Sequence, residues 1–390
     1  MLKKNRASLI FSITGIISIL AMFVWFYNIT GMKSLLVWHP TTALIPLLYK
    51  IIIVIIVLSL AVKMILNKLQ KVRAEKISFF VNLGFSAVGV IASLVLVLMY
   101  VPAGHYLRKD FTRVENPLYE KNIESLERIA VSSDPHWNGE TANPSERSKV
   151  ISSVGKGGYD AFFCLGDISD WGATKDGYEE PVKELNEGLN GIPFQAVMGN
   201  HDALIDSKTI FDRIFFGKKH APLDYRIDFG DVHIIVFDAL WSPDEIGKKR
   251  IKWFEKQVKN IPEKDAVIVM AHSYFLSSGY FDKPNKMNWY DSPYAIETLS
   301  PLFEKYNVDL VLSGHNHLME LLEKDGVTYA VIGAMGGKLD PIEYNSPYSL
   351  WLSNNNFGHL ELDFKNETIF MKFQDSDGNV IKVHSVPFNR

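Results

Sequence analysis

The chain has 390 residues, 47% of them hydrophobic and 22% charged, and a formal net charge of −3. That charge is unevenly spread: residues 1–102 carry ten Lys and Arg against one acid, Glu75, so residues 103–390 stand at −12. An acidic second part argues against a nucleic-acid-binding surface. The single cysteine, Cys164, excludes an internal disulfide, so that part must be held by its core.

Three apolar stretches come first, at about 9–27, 43–66 and 77–102, each near one bilayer thickness as a helix. The first lacks a small-x-small cleavage site and two more follow it, so it reads as a retained helix rather than a signal peptide. Lys50 and Lys63 interrupt the second. They can snorkel to opposite surfaces and leave Ile51–Val62 in hydrocarbon. Lys3, Lys4 and Arg6 precede the first span, and Lys68, Lys71, Arg73 and Lys76 separate the second from the third. The loop between the first two has only Lys33. The bias of basic residues puts the N-terminus in the cytoplasm and everything after residue 102 outside. The expectation is a multi-pass protein of the cell membrane with an extracytoplasmic domain.

Residues 103–127 read as a linker with a short amphipathic helix at Leu118–Leu126. From Ile129 onward strands and helices alternate. Strands are expected at Ile129–Ser133, Ala161–Leu165, Phe194–Met198, Val232–Phe237, Ala266–Ala271 and Val308–Leu312. Helices are expected from about Ser145, after Asn143-Pro144, and at Gly177–Leu189, Ser207–Phe216, Lys248–Val258 and Pro293–Tyr306. Gly230-Asp231 and Asp325-Gly326 mark hairpins, and Gly358–Val386 reads as antiparallel strands turning at Lys365-Asn366 and Asp377-Gly378. Cys164, in Ala161-Phe162-Phe163-Cys164-Leu165, reads as inert packing. The expected architecture is a three-helix transmembrane region followed, over residues 128–390, by an α/β (α+β) domain, a layered β-sandwich flanked by helices.

Five polar clusters punctuate the domain: Asp134-Pro135-His136, Gly166-Asp167-Ile168-Ser169-Asp170, Gly199-Asn200-His201-Asp202, His272 and Gly314-His315-Asn316-His317. At least four follow an apolar, β-branched run, which places them at strand tips where distant side chains converge. Asp-x-His at a turn can aim both side chains at one point. A carboxylate such as Asp167 has two oxygens and can bridge two cations. Asn200 offers an amide oxygen, and His272, His315 and His317 offer imidazoles. Mixed nitrogen and oxygen donors suit Mn, Fe, Zn or Co rather than Ca or Mg. Two such cations about 3.5–4 Å apart can share a hydroxide nucleophile and grip two oxygens of a phosphoryl group. His201, next to Asn200, can reach over the metals as the acid for a leaving oxygen, with Asp170 to hold it. His39, His105, His220, His233, His359 and His384 fit no cluster and read as surface or packing residues.

These clusters resemble the calcineurin-like metallophosphoesterase superfamily, with its pattern D-x-H, G-D-x-x-D, G-N-H-[DE], H and G-H-x-H, over about residues 128–340. The resemblance implies a first metal held by Asp134, His136, Asp167 and His317. It implies a second held by Asp167, Asn200, His272 and His315, with His201 as general acid and Asp170 its partner. Two departures stand out. The purple, iron(III)-tyrosinate members have a tyrosine where Asp170 stands, which argues against a purple acid phosphatase. Ser273-Tyr274 follow His272 where a proline is frequent, which touches the substrate wall rather than the ligand.

The implied activity is hydrolysis of phosphoester bonds, a phosphodiesterase by preference. Alternatives are a phosphomonoesterase or pyrophosphatase on the same site, or an inactive fold serving as a membrane receptor or scaffold. Two aromatic segments, 274–294 and 344–357, can stack on substrate, sit at a membrane interface or pack the domain edge. Three spans keep the site near the bilayer, so a lipid or lipid-linked phosphate is a candidate substrate.

Overall fold

A computed structural model describes residues 112–388 other than 121–123, 171, 173–174, 204–207, 218–220, 223 and 284–285, with separate positions between 13 and 91. The three apolar stretches, with Lys50 and Lys63, therefore lie largely outside the described residues. The positions that are described there are helical, and large apolar side chains among them, including Ile17, Val54, Ile65, Phe80 and Ile91, are exposed. Among the described residues no helix is long and apolar enough to cross a membrane.

The chain divides into two units, and every strand among the described residues lies in the second. In chain order these are β1 (Arg128–Ser132), β2 (Ala161–Cys164), β3 (Phe194–Ala196), β4 (Tyr225–Phe229), β5 (Val232–Phe237), β6 (Ala266–Ala271), β7 (Tyr280–Asp282), β8 (Met287–Trp289), β9 (Leu310–Ser313), β10 (Met319–Lys324), β11 (Val327–Ile332), β12 (Ser349–Ser353), β13 (Gly358–Lys365), β14 (Thr368–Asp375) and β15 (Val380–Pro387). One sheet runs β15-β14-β13-β1-β2-β3 and the other β12-β10-β11-β9-β6-β5-β4. In the first sheet β1-β2-β3 are parallel, with β3 at the edge; in the second β5-β6-β9-β11 are parallel; antiparallel strands extend both sheets. The parallel strands read as apolar runs, such as Ile234–Phe237 and Ala266–Ala271, because both faces are covered. The result is the expected sandwich of mixed sheets with helices.

Helix α1 (Pro144–Lys156) begins with proline at its first turn, and the Arg147 amide closes on Asn143 O at 3.1 Å. Its buried stripe is Val150, Ile151 and Val154. Then come α2 (Glu179–Gly188), α3 (Lys208–Phe215), α4 (Lys248–Val258) and α5 (Ser300–Lys305). The single helix expected over Pro293–Tyr306 is in fact a π turn, Ala295–Leu299, followed by α5. Pro301 accounts for the break: its ring clashes with a carbonyl one α-turn earlier, and the wider turn, with Ser300 N–H on Ala295 O, relieves it.

Part of the segment read as a linker lies against the sheet. Val114 N donates to Ile214 O, Phe194 N donates to Asn116 O, and Val114, Leu118 and Leu126 are buried. Where a helix is expected over Leu118–Leu126, the described residues form a 3-10 turn at Leu118–Glu120. Cys164 is buried and unpaired, and burial pushes its thiol up, as inert packing requires.

Candidate metal centre

All five clusters sit just past the C-terminal ends of parallel strands: β1, β2 and β3 of one sheet, β6 and β9 of the other. The loops after β1 and β2 continue each other's ladder, with Asp134 N on Gly166 O, His136 N on Asp167 O and Trp137 N on Ile168 O. To turn side chains that alternate along a strand toward one point, the backbone leaves the extended region. Asp134, His136, Asp167 and His315 have φ of 62°, 48°, 50° and 71°. Left-handed backbone is costly for such residues and persists where the surroundings over-determine it. Gly166, at φ 115°, has no such cost, and a Cβ there would lie 2.6 Å from His272 Nδ1.

The structure brings all nine residues of interest together. Asp134, His136 and His317 form one group and Asp167, His272 and His315 a second. His136 Nε2 lies 3.0 Å from His317 Nε2, and Asp134 Oδ1 lies 3.7 Å and 3.4 Å from those two nitrogens. His272 Nε2 lies 2.9 Å from Asn200 Oδ1, 3.0 Å from His315 Nδ1 and 3.4 Å from Asp167 Oδ1. The second oxygen of Asp167 faces the other group, 3.6 Å from His136 Nε2.

The proton positions show what these distances mean. His317 Nδ1 lies 2.7 Å from Lys338 O, and His272 Nδ1 lies 2.9 Å from Leu165 O. A carbonyl can only accept, so both imidazoles donate from Nδ1, as His136 does from Nδ1 to Asp170. Each neutral ring then turns an Nε2 lone pair inward, toward other lone pairs and carboxylate oxygens. Asp134 Oδ1 is buried with no hydrogen-bond partner. Groups of converging acceptors fit cations. The spacing fits too: ligands about 2.1 Å from a metal stand roughly 3.0–3.4 Å apart.

Without a cation the carboxylates draw protons in. Burial opposes the charge on His272, but Asp167 overrides it and pushes His272 up to about 9. Burial works against the Asp134 carboxylate as well, yet His136 and His317 hold it well below the usual range. His315 goes the other way, driven well down by burial and by the charge of His272, and stays a neutral donor.

His201 stands beside the first group, its ring 4.8 Å from that of His136. Its Nδ1 lies 3.2 Å from Asp170 Oδ1, and its Nε2 faces inward, 4.0 Å from Asp167 Oδ2. Asp170 lies nearer to His136 Nδ1, at 2.7 Å. Burial disfavours its charge, but the bonds from His136 and His201 hold it below the usual range.

Several residues in the clusters or close to them serve the site in ways that residue type and spacing did not reveal. Asp202 is buried and turned away from the metals. Its carboxylate accepts the amides of Ile168, Ser169 and Gly199 and the Tyr178 hydroxyl, tying the Asp167 loop to the Asn200 loop. Its place in Gly-Asn-His-Asp was the only signal. Gly337 lies against two rings: a Cβ there would meet His317 Cε1 at 2.7 Å and His136 Cδ2 at 2.8 Å. Asp340 brackets His317, accepting its amide at 2.8 Å and donating to its carbonyl at 3.1 Å. His315 is cased in rings, with Trp289 at 4.6 Å, Trp241 at 5.7 Å and Tyr274 stacked at 5.8 Å.

The two aromatic segments meet. Gly279 and Tyr344 exchange backbone hydrogen bonds, Tyr290 lies 4.4 Å from Tyr344, and Trp351 packs on Phe373. Much of this is edge packing. Tyr280 remains half-buried and Phe281 exposed, on the small β7–β8 hairpin. Of the unassigned histidines, His233 lies between Asp228 and Asp265, His359 is buried in the core, His384 is on β15, and His39, His105 and His220 lie outside the described residues.

Residues 127–319 match the family model described as Calcineurin-like phosphoesterase. The chain is 25% identical over 297 residues to tartrate-resistant acid phosphatase type 5 of Mus musculus, covering 65% of this chain and 85% of that protein. It is 27% identical over 165 residues to a probable glycerophosphodiester phosphodiesterase of Arcobacter nitrofigilis, covering 40% and 56%. The purple acid phosphatase of yellow lupin (Lupinus luteus) seeds shares the fold, with a TM-score of 0.56 at 17% identity over 67% of this chain and 54% of that one.

Proposed function

We propose that this chain is a metal-dependent phosphodiesterase anchored in the cell membrane with its site facing out, a reading supported by the match of residues 127–319 to the calcineurin-like phosphoesterase model and by the two groups of residues that could hold metal. The Asp167 carboxylate carries the metal part of this reading, with one oxygen toward His272 and the other toward His136. Asp134, His136, Asp167 and His317 would hold one cation, and Asp167, Asn200, His272 and His315 the second. When bound, these cations supply charge neutralisation and an activated water.

The residues then divide the work. As an imidazolium, His201 donates its Nδ1 proton to Asp170 and carries a second proton on Nε2, directed at the site. Water adds its oxygen to phosphorus, the P–O bond to the leaving group breaks, and the departing oxygen takes that proton; a proton from the water restores His201. The diester preference is supported by two further carboxylates beside the candidate ligands. Asp170 and Asp340 are half-buried carboxylates bonded to His136, His201 and His317 of the site, and two carboxylates oppose a dianionic monoester more than a monoanionic diester. The basic-residue bias of residues 1–102 and the exposed apolar helical positions among them support the membrane anchor.

The relative named as an acid phosphatase favours a second reading, a phosphomonoesterase. Hydrolysis of bis-(p-nitrophenyl) phosphate against p-nitrophenyl phosphate decides between them. The diester should be preferred, EDTA or Asp167→Asn should abolish both activities, and His201→Ala should lose turnover while keeping metal. A reporter active only outside the cytoplasm, fused after residue 102, tests the topology.

A further inference from the structure

The stretch of chain that carries His136 is gripped from behind. Trp137 follows it directly and is fully buried, and its two neighbours, His136 and Asn138, have φ of 48° and 65°. Backbone of that kind persists where the surroundings over-determine it. Part of the hold is the backbone ladder, with Trp137 N on Ile168 O and Asp170 N on Trp137 O, both at 2.9 Å. The rest comes from two helices. Trp137 Nε1 donates to Glu184 Oε2, on α2, at 2.7 Å, and the Arg147 guanidinium, on α1, lies 4.4 Å over the indole ring.

Glu184 and Arg147 act as one unit. Glu184 also accepts from the Ser148 hydroxyl and from Arg147 Nε, the latter at 3.4 Å. Arg147 is buried, so its charge needs a carboxylate beside it. Its Nη1 reaches the Pro135 carbonyl at 3.4 Å, on the other side of His136. The packing there leaves no slack: a Cβ on Gly336 would lie 2.8 Å from Pro135 O and 2.9 Å from Arg147 Cβ. His136 is therefore held through both chain neighbours, Pro135 by Arg147 and Trp137 by Glu184.

We propose that Glu184 and Arg147, acting through Trp137 and Pro135, are positioning residues that aim His136 at the first metal. The inference rests on the metal site and not on the diester preference. Its test titrates the full chain with cobalt(II) against a chelator and reads two binding constants, the first assigned as the one lost in His317→Ala. Glu184→Ala should weaken the first constant roughly tenfold, the lower end for a support lying behind a ligating histidine, and leave the second unchanged. Trp137→Phe, which keeps a ring and removes the N–H, should act in the same direction. Glu184→Gln, which keeps an acceptor for the indole, should recover most of the loss, as a merely structural destabilisation would not. Two constants that fall together, or a first constant unmoved by Glu184→Ala and Trp137→Phe alike, overturn the inference. Urea unfolding of the metal-free variants shows which are folded, and if Glu184→Ala is not, Trp137→Phe decides. A wild-type chain that binds no cobalt removes the metal centre itself, and the inference with it.

Discussion

The Asp170 carboxylate lies 2.7 Å from Nδ1 of His136. The same oxygen is 3.2 Å from His201, so one carboxylate orients both a metal-facing imidazole and the acid beside it. Carboxylates behind ligating histidines raise ligand basicity, and their loss costs roughly 10–100-fold in metal affinity. Asp170→Asn should therefore weaken the first metal by about that factor in a chelator competition, besides lowering turnover. If both metals stay while turnover falls, Asp170 acts through His201 alone.

Gly337→Ala tests the packing of the cluster. The new Cβ would press on rings that cannot yield without breaking the bonds to Lys338 O and Asp170. Metal affinity should drop roughly tenfold or more, and the urea midpoint of the metal-free protein should fall as well, since the same bonds are strained there.

Asp202→Ala should cost stability instead. Three amides and a buried phenol lose their acceptor, and stranded buried donors cost about 1–3 kcal/mol each before relaxation. A loss of about 3–5 kcal/mol in urea unfolding is expected. Asp202→Asn, which keeps an acceptor oxygen, should lose less.

His359 makes a pH prediction. Its Nε2 lies 3.3 Å from the Tyr159 hydroxyl, its Nδ1 has no partner among the described residues, and burial drives it down to about 4 despite the charge of Glu361. The folded pKa is lower than the unfolded one, so the unfolded chain takes up the proton first. The contribution is full above about pH 6.5 and is lost as pH falls toward 4. The span corresponds to about 3 kcal/mol. In urea unfolding between pH 7 and 4, His359→Gln should show a profile flatter than the wild type by about that amount, since all other groups are common to both.

The parallel strands and their polar tips were legible because burial on both faces leaves apolar runs, and each run ends in a cluster of ligand types. Strands β7, β8 and β12 were not: they are short and partly exposed, and their residues carry no alternation. The roles of Asp202, Asp340 and Gly337 were hidden for another reason. Their work is done on backbone amides or by leaving room, and neither shows in residue type or spacing. Asp170 was found by its motif but given one partner, because sequence does not show that His136 turns Nδ1 the same way.

Asp134, Asp167 and Asn200 follow strands of one sheet, while His272, His315 and His317 follow strands of the other. A pair of ions held by both groups would work as a rivet through one end of the sandwich. Chelation would then relax hydrogen-exchange protection in the loops at that end and leave the opposite edge, with the β4–β5 turn, as slow as before.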